Sequence, residues 1–424
     1  MTRELVFLHV GQCGNQIGGR FWDVALQDIA NKTPDHNIGE PPRFDRNLNV
    51  LFRNVDDRNG FPLPLGAKVS SLKARAVLID METGVINPLL RSPIGELFTK
   101  PQVVTDVSGS GNNWATGYMV YGPQYHERII DAIRLQLECC DCCDSLLSFQ
   151  SLSGGTGSGL GSYVIEKMAD EFPEINRVVV PVVPATTENV VTAPYNAVLS
   201  LCSLRDHADV VLPIDNDSLL NHQGCSNYLT HHRTLLRQNP FDPANNIVAA
   251  MTSLLVASMC SGGDSPIFPS HLKLMTTTAN KCLSSVLYET KQTGVRTQTP
   301  DWSKVFKHSN RFKLIRSWRG GTDSSTGIIY RGDENLAVLL GTIPRLSLSQ
   351  VDLINSIEAI DPQIHQILRI ANCPSIYELF SDVLRGFTTL FKRKAHLHHY
   401  LEYMEESKIR ESAFSLSANR TGSD

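Results

Sequence analysis

Residues 151–162 read SLSGGTGSGLGS, with five glycines and five hydroxyl side chains in twelve positions. Such a loop offers main-chain N–H groups and hydroxyls to an anion. The lysine-bearing phosphate loop requires a Lys-[Ser/Thr] pair after its last glycine, yet Leu160 follows Gly159 here. Positive charge must therefore come from elsewhere. Two further glycine-rich turns are present, GQCGNQIGG (Gly11–Gly19) and GSGNN (Gly109–Asn113). Glycine lets main-chain amides approach a ligand closely, and amides at a helix start lie in the favourable field of its dipole. One such turn also suits a plain reversal of the chain. Three on one crevice imply a polyphosphate held by backbone amides, with a metal ion adding charge.

Competing chemistries fit less well. A dinucleotide fingerprint needs G-x-G-x-x-G in the first strand–turn–helix unit, and GQCGNQIG lacks that spacing. No G-x-S-x-G nucleophile elbow with a fitting acid and histidine occurs. The run LECCDCCDS (Leu137–Ser145) contains a C-x-x-C pair, Cys140 and Cys143. A structural zinc site needs four ligands, and no second pair stands at a suitable spacing, so these thiols read as small apolar residues where a helix gives way to a strand. His396, His398 and His399 are not read as ligands either.

The elements that must position these turns are legible. Glu4–Val10, Ala74–Asp80, Ser145–Leu152, Val178–Val183 and Ala208–Asp215 are continuous apolar runs, as expected for strands of a parallel sheet covered on both faces. Helical patterns separate them at Asn15–Ala30, Gln124–Cys139, Gly159–Glu171 and Pro194–Leu204. The alternation predicts an α/β fold with a doubly wound parallel sheet and a ligand crevice at the strands' carboxyl ends. A nucleotide-binding domain is expected over residues 1–260, including a core helix at Asn245–Met259. A smaller α/β domain, apparently shortened, follows over 261–370, with short strands in RFKLIRSW, GIIYRG and NLAVLLGTI. A helical region spans 371–424. Ile376, Leu379, Phe380, Val383, Phe387, Leu390 and Phe391 form an apolar stripe there, and the tail SLSANRTGSD is expected to be disordered. RGD at Arg331–Asp333 reads as a turn.

The 424 residues carry a formal net charge of −4 and no basic face, which argues against a nucleic-acid partner. No run is long and apolar enough to span a bilayer. The first residues lack a secretory pattern, so the ten cysteines are expected to be free thiols in a reducing compartment.

GQCGNQIG, GSGNNWATG, GGTGSGLGS, APYNAVLS and LPIDNDSL occur in this order, and together they resemble the nucleotide-binding loops of the tubulin superfamily. FRNVD, SLKARAVLIDME and KRKAHLHHYL are most similar to the epsilon type, with zeta or delta types as runners-up. The resemblance implies GTP and Mg2+ as cofactors, other tubulins (alpha/beta, delta or zeta type) as partners, and a cytoplasmic place at centriole or basal-body microtubules. It also implies residue roles. Gln12 and Cys13 would lie over the phosphates, and Glu82 would act near the magnesium; read alone, Glu82 is a surface carboxylate after a strand. Gly109, Ser110, Gly111, Asn112 and Asn113 would approach the γ-phosphate, while Ser151, Gly155, Thr156, Gly157 and Ser158 would hold the α- and β-phosphates. Glu188 and Asn189 would face the sugar. Asn216 and Asn245 would read the guanine edge, and Phe241 would stack on the base; read alone, the asparagines serve equally as turn or cap residues.

Two departures bear on function. Ser153 replaces the first glycine of the family signature, which is tolerable only with negative φ. The stretch from Ser261 to Lys273 is shortened, with Asp264 as its only acid, so no catalytic residue is carried over. The expectation is a GTP-binding structural protein with weak turnover. The alternatives are a hydrolysing, protofilament-forming GTPase and a degenerate paralogue that binds nothing.

Overall fold

The computed structural model describes residues 3–32, 42–220, 241–260, 270–276, 280–291, 311–313, 325–331, 351–357, 364–374 and 376–418. In its first half the strands are β1 (Glu4–Val10), β2 (Phe52–Val55), β3 (Ser71–Ala74), β4 (Ala76–Asp80), β5 (Val103–Thr105), β6 (Cys143–Ser151), β7 (Asn176–Val183), β8 (Val210–Val211) and β9 (Ile214–Asp215). They form a parallel sheet in the order β5-β4-β1-β6-β7-β8, with β9 also on β7 and β2-β3 set apart as a hairpin. Every residue of β1 and β4 is buried, which explains why these strands read as unbroken apolar runs. The expected strand at Ala208–Asp215 is instead two short pieces, because Pro213 between them has no N–H to give the ladder.

Helices α1 (Gly11–Lys32), α2 (Arg46–Leu51), α3 (Thr83–Arg91), α4 (Gly122–Glu138), α5 (Gly161–Glu171), α6 (Ala193–His207), α7 (Asn216–Leu220) and α8 (Asp242–Cys260) accompany this sheet. Alternate residues of a strand point to opposite faces. Leu5 and Phe7 accordingly join one core with Phe21 and Trp22 of α1 and Leu254 of α8. Leu8 and Val10 join the other, with Ile133 of α4, Ile165 of α5 and Val198 of α6. This is the doubly wound arrangement read from the sequence.

A second sheet follows: β10 (Ser284–Lys291), β11 (Arg311–Lys313), β12 (Ser325–Arg331), β13 (Val351–Ile357) and β14 (Ile364–Asn372), in the order β11-β10-β14-β12-β13. Only β12 and β13 run parallel among its pairs. NLAVLLGTI lies outside the described residues. The strand character of β14 was not expected. Helix α8 is buried all round from Ile247 to Val256, since Leu287, Ile329, Leu368 and Ile370 of the second sheet cover the side that the first sheet leaves bare.

Of the RGD read as a turn, Gly332 and Asp333 lie outside the described residues, and Arg331 alone is described. It ends β12, is buried, and pairs with Asp28 of α1 at 3.5 Å while donating to Ser253 of α8 at 3.3 Å. Helices α9 (Ser270–Met275), α10 (Ile376–Lys392), α11 (His398–Leu401) and α12 (Glu406–Ala418) complete the described chain. The α10 stripe packs on α6 through Ile376, Leu379, Phe380 and Phe387. The tail expected to be disordered is helical as far as Ala418, and Ser415 there accepts a hydrogen bond from Arg205 at 2.6 Å. No helix among the described residues is long and apolar enough to cross a membrane.

Candidate functional site

Beyond the carboxyl ends of β1, β4, β6 and β7 lies a cavity of about 490 Å³, within the usual range for small-molecule sites. All three glycine turns reach it. Helix α1 begins at Gly11 itself, so the first turn is the helix N-terminus, with amides that have no partner inside the helix. Gly11 adopts φ +73°, and a Cβ on it would stand 2.9 Å from the Gly157 nitrogen. Gly109, Gly111 and Asn112 have φ of +63°, +56° and +53°, left-handed positions that glycine and asparagine tolerate best. A Cβ on Gly155 would meet the Ser110 hydroxyl at 2.5 Å and the Asn113 nitrogen at 2.8 Å. Ser110 Oγ and Thr156 Oγ1 are hydrogen-bonded at 2.9 Å. The turns interlock, and glycine is required where backbones touch. Ser153 keeps φ negative, so its Cβ adds no strain.

One residue behind the loops was not singled out from the sequence. Asn196 of α6 donates to the carbonyls of Asn112 (2.8 Å) and Ser153 (2.6 Å) and accepts from Trp114 N (2.9 Å) and the Tyr400 hydroxyl (2.6 Å). It clamps two glycine turns to each other and to α11. Its only sequence signal was its place in APYNAVLS.

Of the residues expected at the site, Gln12, Cys13, Glu82, Ser110, Asn112, Ser151, Gly155, Thr156, Gly157, Glu188, Asn216, Phe241 and Asn245 line the cavity. Gly109, Gly111, Asn113, Ser158 and Asn189 are not part of its wall. Asn113 faces the other way, with its Nδ2 donating to the His399 carbonyl at 2.9 Å. The Ser158 hydroxyl is spent on the Gly154 carbonyl, and Asn189 is exposed. The lining also includes Gln16, Asp80, Leu219, Ala244 and Val248, which sequence reading missed. Asp80 had a signal: it ends a strand two residues before Glu82.

The electrostatics are unusual for a phosphate site. Asp80, Glu82 and Glu188 line the cavity, while no Lys, Arg or His does so among the described residues. Burial raises the Asp80 carboxyl to about 7, with the Glu82 charge adding to the shift against hydrogen bonds from the Glu82 and Met81 amides. Burial and the Glu188 charge hold the Cys13 thiol up at about 12, so it stays protonated. Glu188 Oε2 and Asn245 Nδ2 are buried without a hydrogen-bond partner. Orphaned buried polar atoms are costly unless a ligand meets them.

Comparisons with known proteins agree with this geometry. The family model "Tubulin/FtsZ family, GTPase domain" matches residues 4–224. Tubulin epsilon chains of Mus musculus and Homo sapiens are 36% and 35% identical to the chain, each alignment covering 99% of it and 94% of the relative. A tubulin beta chain of Trichophyton rubrum is 29% identical, with 98% and 93% covered. The mouse alignment runs over 457 positions against 424 residues here, so at least 33 positions of that relative have no counterpart in this chain. The matched region builds the cavity except for its side at Phe241, Ala244, Asn245 and Val248, and the chain belongs to the tubulin family.

Proposed function

We propose that the cavity of this epsilon-type tubulin binds GTP together with Mg2+, and that the protein serves the microtubules of centrioles or basal bodies in the cytoplasm, in contact with other tubulins. One observation carries the nucleotide reading: three interlocked glycine turns converge on a cavity whose described lining contains no basic side chain. A triphosphate there meets main-chain amides from Gly11–Cys13, Ser110–Asn112 and Gly154–Gly157. Asp80 and Glu82 are hard oxygen donors that suit Mg2+ better than a soft metal, and the ion would offset phosphate charge that no lysine meets. At the other end, Asn216 and Asn245 are placed to read a guanine edge, with the free Nδ2 of Asn245 as a donor. Phe241 lies half exposed at the mouth for stacking, and Glu188 faces the sugar. Gly109, Asn113 and Ser158 shape the loops from behind, Gly111 offers only its main chain, and Asn189 sits at the rim.

We favour binding over rapid turnover. General-base assistance is worth about 10²–10⁴-fold in rate, and the only acid in the shortened Ser261–Lys273 stretch is Asp264. That residue lies outside the described chain, and no catalytic role is given to it. The purified protein is expected to carry guanine nucleotide through desalting, to lose it with a chelator of divalent ions, and to lose it in the Thr156→Ala, Gly157→Ala double variant. A Cβ on Gly157 would stand 2.7 Å from the Ser151 carbonyl oxygen. Folded wild-type protein that stays empty in saturating GTP and Mg2+, or retains adenine nucleotide equally well, overturns the proposal.

A further inference from the structure

The opposite end of the parallel sheet carries chemistry that nucleotide binding does not use. Cys139, Cys140, Cys142 and Cys143 lie between α4 and the start of β6, at the amino end of the strand whose carboxyl end leads into the cavity. The expectation of apolar filler is wrong in kind. Arg75 Nη1 donates to the Cys140 sulfur at 3.3 Å, and Arg53 Nη1 donates to Cys139 at 3.2 Å. Arg75 is fixed in place by three more bonds, to the Cys139 carbonyl at 2.7 Å and to the Asn49 carbonyl and Oδ1 at 3.1 and 3.0 Å. Cys140 Sγ donates to the Gln136 carbonyl at 3.3 Å, and the Cys140 and Cys143 thiols lie close enough for each to perturb the other. Cys143 Sγ donates to the Ser145 carbonyl at 3.6 Å. Cys139, Cys140 and Cys143 are half-buried, and Cys142 is exposed.

From this geometry we propose that Cys140 and Cys143 form a reversible dithiol–disulfide pair, a modification site in which Cys140 attacks a low-molecular-weight disulfide such as oxidised glutathione and Cys143 resolves the product. The Cys140 thiolate displaces one glutathione thiolate and forms a mixed disulfide. Cys143 then gives up its proton to solvent, attacks the Cys140 sulfur and expels the second glutathione. Two protein thiols are oxidised, and one glutathione disulfide is reduced to two thiols.

The physical case rests on the fixed Arg75 guanidinium at the Cys140 sulfur, and the asymmetry of the two thiols supports it. A thiolate, not a thiol, is the nucleophile, and cationic neighbours favour it. Cys140 is pulled below the usual thiol range by the neighbouring Cys143 thiol and the Arg75 and Arg53 charges, acting against burial and the Glu4 charge. Cys143 is pushed well above that range by the neighbouring Cys140 and by burial, so it waits as the protonated partner. Glu4 opposes the thiolate at both sulfurs. Its carboxylate, however, already accepts from Asn49 Nδ2 at 3.0 Å and from Cys142 N at 2.8 Å. The remaining acids are Asp141, in the turn, and Asp144, which pairs with Arg3 at 3.5 Å.

The test is a redox titration of the full chain with nucleotide bound, in glutathione buffers, followed by differential alkylation and peptide mass analysis. Cys140 and Cys143 are expected to lose their free thiols together as one two-electron couple, while Cys142 stays alkylatable. At neutral pH, Cys140 in the reduced protein should be alkylated about tenfold faster than the more exposed Cys142. Cys143→Ser should hold a single glutathionyl group on Cys140, and Cys140→Ser should leave Cys143 unmodified. Modification ranked by exposure with Cys142 first, or a wild-type protein in which the two thiols titrate independently, overturns the proposal even if a variant fails to fold.

Discussion

The two ends of the parallel sheet present positive charge by different means. At the carboxyl end, amides from three glycine turns face a cavity that also contains Asp80, Glu82 and Glu188 and has no basic side chain among its described residues. At the amino end, the guanidinium groups of Arg53 and Arg75 donate directly to cysteine sulfurs. A triphosphate spreads its charge over many oxygens, so many weak partial charges fixed in a backbone suit it and leave room for a divalent ion. A thiolate is a single atom, and one rigid cation is enough. The backbone solution depends on the absence of Cβ atoms. The side-chain solution depends on residues distant in sequence.

The largest effect that would sharpen this contrast is expected from Gly155→Val, since its Cβ would collide with the Asn113 backbone nitrogen and oxygen, each at 2.8 Å. Overpacking of this kind costs about 3 kcal/mol, so GTP affinity by calorimetry should fall about 100-fold or more. Retained affinity would show that the amide nests are not the grip. Asn245→Ala removes a single buried donor, worth about 1–1.5 kcal/mol. GTP should bind roughly tenfold more weakly, with discrimination against ATP narrowing by the same factor. An equal loss for both nucleotides would remove Asn245 from base reading.

The smallest effect on nucleotide affinity concerns His9, the next-to-last residue of β1. Trp22 Nε1 donates to its Nε2 at 3.2 Å, and burial lowers its pKa to about 3 from the usual 6.5. Native His9 therefore stays neutral, whereas the unfolded chain takes up a proton below about pH 6.5. Its contribution to stability is complete above that pH and falls by about 1.4 kcal/mol per unit on acidification, until about pH 3. Urea unfolding of wild type and His9→Leu between pH 6.5 and 5 should show their difference shifting at that slope. Nucleotide affinity of the folded wild type should change far less than stability over the same range, because His9 is not part of the cavity lining.

Much of the first domain is legible in its residues. Unbroken apolar runs such as AVLID belong to strands buried on both faces, and that property is local to each run. Glycine at turn positions is also a local statement, so the three loops can be found and grouped. The second sheet is harder to read, because β13 and β14 carry polar residues within otherwise apolar strands, and the buried Gln366 is one of them. Loop register is harder still: Asn112 lines the cavity, while Asn113, its neighbour of the same type, turns its side chain to His399.

Residue order along the chain is enough to dictate the doubly wound sheet, the glycine loops and the absence of a phosphate-binding lysine in the loop after β6. Which side chains share a space is settled only when the chain is folded. Folding brings Asn196 behind two loops, Arg331 to Asp28, and Arg75 to Cys140. Each pairing joins residues tens to hundreds of positions apart. Hydrophobic periodicity and turn chemistry act over a few residues, so no local signal encodes which distant partner burial will supply.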